Sequence, residues 1–101
     1  MIKIMNVKVF KLINGEDLIA QVKENADSFL IESAASIVMQ QTERGVGVAL
    51  APYMPYAADE LTLYKTAITA VGEPEVQLLN EYSRIFGSGI QIASAGSIAT
   101  R

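Results

Sequence analysis

The chain has 101 residues, half of them hydrophobic and 19% charged, with a net charge of −3 and neither cysteine nor histidine. That length and mix suit one domain able to bury a core, which excludes wholesale disorder. The missing Cys and His exclude disulfides, thiolate metal sites, thiol nucleophiles and His-based triads.

Residues 5–13 read as a strand, followed by Asn14-Gly15, a hairpin-turn signal because both residues tolerate positive φ. Residues 17–24 form a second strand, with Leu18, Ala20 and Val22 alternating with Ile19, Gln21 and Lys23. Glu24-Asn25-Ala26-Asp27 is a polar turn, and residues 28–33 are a third strand centred on Phe29, Leu30 and Ile31. Ala34-Ala35 is expected to bend the chain into a further stretch at 37–40. Thr42-Glu43-Arg44-Gly45 turns, and residues 46–51 return as a strand. Pro52-Tyr53-Met54-Pro55-Tyr56 breaks the pattern, since proline donates nothing to a sheet ladder. Residues 61–71, rich in β-branched and aromatic types, predict one last long strand.

Pro74 opens a predicted helix over 74–86. Val76, Leu79, Tyr82 and either Ile85 or Phe86 recur at three- and four-residue spacing and give it one apolar face. Glu75 and Arg84 complement the helix dipole, and Gly87 suits a C-cap. The expected layout is a mainly β domain at 1–86, including that helix, with a tail of small residues at 87–101 in which Ile90 and Ile92 fit a short strand. No run reaches the roughly 18 apolar residues of a membrane helix. The start lacks the apolar core and cleavage site of a secretory signal, so a cytoplasmic location with no membrane contact is expected.

Little here suggests catalysis. The adjacent acids Glu16-Asp17 and Asp59-Glu60 fall in turns and read as solvated side chains, so no catalytic residue, no metal and no cofactor are expected. Gly87-Ser88-Gly89 follows a helix instead of preceding one, and Gly45-Val46-Gly47 is a hairpin turn, so neither is a nucleotide loop. The eight cations are scattered along an acidic chain. Any nucleic-acid site must therefore be local, built by bringing a few cations together, as symmetric assembly would do. Residues 46–51 carry no charge and residues 61–71 carry only Lys65. Such strands are an aggregation hazard at a sheet edge unless something covers them, and a closed ring would cover them.

Val9-Phe10-Lys11-Leu12-Ile13-Asn14-Gly15 followed by Leu18-Ile19-Ala20-Gln21-Val22 resembles the first Sm motif of the Sm/LSm and Hfq proteins. Tyr64-Lys65-Thr66-Ala67-Ile68-Thr69-Ala70-Val71 is similar to the last strand of Hfq, and the resemblance covers about residues 7–71. It implies a strongly bent five-stranded antiparallel sheet, an open barrel, assembled as a homo-oligomeric ring. In that ring the strand near 46–51 would pair with the 62–70 strand of the next subunit. The chain departs from the family in several ways: it lacks the N-terminal helix, carries a C-terminal one, has longer loops, and lacks the Asp-x-x-x-Asn signature of strand three. The whole resembles a divergent Sm-like family such as those of marine phages, cyanophages included, which would place it inside the host cell.

Carried over by position, Lys65 matches an RNA-contacting residue, Thr66 stands where Hfq has a His, and Asn25 and Asp27 lie in the place of the uridine-binding loop. Tyr64, Tyr53 or Tyr56 could stack bases. Equally open are a solvated strand lysine at Lys65 and ordinary turn chemistry at Asn25 and Asp27. Two functions remain open. One is a non-catalytic ring binding single-stranded RNA. The other is a structural or adaptor ring in phage assembly that holds a protein partner and no nucleic acid.

Overall fold

The computed structural model describes residues 6–86; the expectations for Gly87 and the 87–101 tail lie outside them. The described chain is an antiparallel sheet of six strands with one helix after it. β1 (Val7–Leu12) and β2 (Asp17–Glu24) form a hairpin whose Gly15 takes φ +92°. β3 (Ser28–Thr42) returns along β2 and turns at Gly45, φ +114°, into β4 (Gly45–Pro52). A loop leads to β5 (Leu61–Tyr64), then a 3-10 turn (Lys65–Ala67), β6 (Ile68–Gly72) and α1 (Val76–Phe86).

The last predicted strand is thus two strands. β5 pairs with the first half of β3, whereas β6 pairs with β1, the opposite side of the sheet. The chain must cross between those edges, and the 3-10 turn makes the crossing, held by the Ile13 N–H donating to Ala67 O at 2.9 Å. No ladder joins β5 to β6, so the sheet is not closed. β5 and β4 share one side of β3, and the strand order β4-β3-β2-β1-β6 leaves β4 and β6 at its ends.

The third and fourth predicted stretches are one strand. Its bend falls at Ser33, φ +51°, one residue before the expected Ala34-Ala35. Two steps on β2, from Ile19 to Gln21, face three on β3, from Ala35 to Glu32, which is a β-bulge. Because side chains alternate with period two, the extra residue reverses which face every later side chain occupies. Phe29, Ile31 and Ala34 pack on one face with Phe10, Leu12, Leu18, Ala20 and Leu63. Beyond the bulge, Ala35 and Ile37 pack on the other face with Val7, Ile19 and Tyr82. One strand therefore builds two cores.

The second core lies between sheet and helix. Leu78, Leu79, Tyr82 and Phe86 form the packed face of α1. Of the two alternatives for the end of that face it is Phe86 that packs, while Ile85 is 43% exposed and Val76, also expected there by spacing, is 70% exposed. They flank the arc centred on Tyr82, because each residue turns the helix by about 100°. The helix also begins two residues later than predicted, with Leu79 N–H donating to Glu75 O at 2.9 Å. Among the described residues no helix is long and apolar enough to cross a membrane.

Tyr82 is fully buried, and its hydroxyl donates to Ser33 O at 2.7 Å. The Ser33 N–H donates to Asp59 Oδ1 at 3.1 Å. Helix and loop thus satisfy both backbone groups of the bulge, which no ladder bond serves. Asp59, expected as a merely solvated turn acid, has this structural role. Burial raises the Tyr82 hydroxyl from its ordinary pKa near 10 to about 12. Between those values the unfolded chain releases a proton that the folded chain keeps, so stability is full below about pH 10 and declines as pH rises towards about 12. Tyr82→Phe should remove most of that alkaline decline, while Tyr53, raised by its own partial burial, leaves a remnant. It should also cost about 1–2 kcal/mol at neutral pH by leaving Ser33 O without its donor. Urea unfolding of both proteins at several pH values measures both effects.

Candidate nucleic-acid interface

The residues singled out by sequence come from two segments far apart in the chain. Asn25 and Asp27 lie in the β2–β3 turn, closed by Asn25 N–H donating to Ser28 O at 2.8 Å. Tyr64, Lys65 and Thr66 span the end of β5 and the 3-10 turn. The β3–β5 ladder brings the segments together: Ser28 is registered with Tyr64, and the Lys65 N–H donates to Asp27 O at 3.0 Å. All five residues therefore form one patch at one end of the sheet. Asn25, Asp27 and Thr66 are exposed, and Tyr64 is 59% exposed.

Lys65 is held from two sides. Its Nζ lies 2.7 Å from Glu24 Oε2 and 5.3 Å from the centre of the Phe29 ring, within cation–π range. The hydrogen bond and charge of Lys65 keep the Glu24 carboxyl below its ordinary range, with a smaller push from Lys8. Beside the pair runs a shallow groove of about 280 Å³, lined by Glu24, Phe29, Lys65 and residues 68–71. The groove thus follows β6, one of the two end strands.

Glu24 and Phe29 were not among the residues expected at the site. Both belong to strands whose side-chain direction was legible, since Glu24 continues the Leu18, Ala20, Val22 face of β2. Their meeting with Lys65 depends on the β3–β5 register, which sequence alone does not give. The tyrosines divide. Tyr53 packs partly buried against the first core, whereas Tyr56 is 83% exposed in the β4–β5 loop, apart from the elements that carry the patch.

Several other acids are engaged elsewhere. Glu16 accepts from Asn14 Nδ2 at 3.0 Å within the first hairpin, and Asp17 pairs with Lys11 at 2.8 Å. Lys8 pairs with Glu73, and Arg84 with Glu81. No protein-family model matches the chain, and no curated protein matches it.

Proposed function

We propose that this chain is an Sm-like ring subunit that binds single-stranded RNA without catalysis. The observation carrying the proposal is the joining of Asn25, Asp27, Tyr64, Lys65 and Thr66 into one exposed patch. The patch combines a cation for phosphate, an aromatic face for a base and polar side chains for base edges. The ring rests on the two end strands: β4 carries no charged residue and neither does β6. Pairing one subunit's β4 with the next subunit's β6 would cover both edges and repeat the patch around an axis, in a ring of roughly five to seven subunits.

Lys65→Ala should weaken binding to oligo-U or oligo-A of any sequence, because a lysine reads phosphate as a point charge. It should also flatten the dependence of affinity on salt, since fewer counterions are released. Fluorescence anisotropy of a labelled oligonucleotide across a salt series tests both. Equal affinity and slope in the two proteins would remove Lys65 from the site.

The second reading, a structural or adaptor ring in phage assembly, draws on the Lys65–Glu24 pair, which neutralises the one cation of the patch. Exposed Tyr56, Met39 and Val46 would then serve a protein partner. Wild-type protein that stays assembled yet binds no oligonucleotide at low salt favours this reading.

A further inference from the structure

The patch contains a feature that opposes its proposed ligand. Lys65 is its only cation, whereas Glu24 and Asp27 both bring negative charge, so the local balance is −1. Glu24 pairs with the ammonium at 2.7 Å, and the Phe29 ring lies 5.3 Å from it. The Glu24 side chain is 62% exposed and stands on the last residue of β2, so it can rotate away from Lys65 without disturbing the core. The groove beside the pair gives an incoming group room next to Nζ.

We infer that Glu24 is an internal competitor for phosphate. Its carboxylate occupies Lys65 in the free protein, and a phosphate oxygen must displace it to bind. This deepens the RNA-binding reading and rests on it. The displacement weakens each single contact, since the gain of a new ion pair is offset by the loss of the old one. A strand long enough to reach several subunits adds such contacts at high effective concentration, whereas a short one cannot. Glu24 thus makes the ring selective for length: it retains long single strands and releases short ones.

The test uses the assembled protein and two labelled oligo-U probes, one of about 6 nucleotides, within the range of a single site, and one of about 24, longer than any single site. Glu24→Gln keeps the shape of the side chain and removes its charge. It should tighten binding by about threefold for each site engaged, hence about tenfold for a strand reaching two sites, and should bring the short probe into measurable range. The gain should vanish when Lys65→Ala is also present, because no ammonium is then left to release. Light scattering on each variant checks that assembly is unchanged.

The outcomes separate the two ideas. If wild-type binds and Lys65→Ala weakens it, but Glu24→Gln changes nothing, the competitor is refuted and the RNA site stands. A Glu24→Gln gain that persists in the Lys65→Ala background reflects general charge and also refutes the competition. If Lys65→Ala binds as wild-type does, the site assignment fails, and if neither wild-type nor Glu24→Gln binds at low salt, both proposals fall.

Discussion

Phe10→Ala should destabilise the protein by about 3–5 kcal/mol, the range for removing a fully buried aromatic ring. Phe10 has no exposed surface and meets Phe29 edge-on, with ring centres 5.1 Å apart. It lies on the central part of the sheet, where β1 is registered with Leu18 on one side and Val71 on the other. The cavity would open where both hairpins and β6 converge, and small neighbours such as Ala20 and Ala34 cannot fill it. Total stabilities of about 5–15 kcal/mol leave little after such a loss. Urea unfolding should show a midpoint far below that of wild-type. An unchanged midpoint would mean that the first core is not the main one. Under the RNA-binding proposal, affinity should fall in the same variant even where it is still folded, because Phe29 also lies under Lys65.

The second large effect concerns assembly. If the proposed ring forms, replacing both Val46 and Val48 with lysine should convert it into 10.9 kDa monomers at micromolar concentration, as read by light scattering. These side chains are 67% and 46% exposed in the single subunit, so the fold should tolerate the change. Lysines on an edge strand oppose the addition of another strand. A wild-type protein that is itself monomeric would end the ring proposal.

Local signals carried much of the fold. Gly15 and Gly45 sit where the hairpins turn, because the sequence around each is polar and only glycine is at ease with their φ values. The first two strands and the apolar spacing of the helix follow from periods that need no distant partner. What failed depends on distant partners. The run 61–71 contains no glycine or proline to mark the 3-10 turn; it breaks there because β3 and β1, its two partners, lie on opposite sides of the sheet. Ser33 bends the third strand although nothing about serine demands positive φ, and its two supports come from Asp59 and Tyr82. The candidate site divides along the same line. Lys65, Tyr64 and the 25–27 turn were found through family resemblance, while Glu24, which neutralises Lys65, became visible only once the strands were paired.

The bulge at Ser33 also determines where this protein can change length. At the 42–45 turn, the β3–β4 ladder has no constraint beyond itself, and residues added or removed in matched pairs lengthen or shorten an exposed arm. At Ser33 a single deletion would instead erase the bulge: Ala34 would stand opposite Ala20 between the retained pairs Ile19–Ala35 and Gln21–Glu32, so Ala35 and Ile37 would still face the helix, but Tyr82 would lose the carbonyl it donates to and Asp59 the N–H it accepts. Paired changes in length should therefore accumulate at the tip of the arm, whereas its root can give up one residue only by losing the bonds that tie the helix and the loop to it.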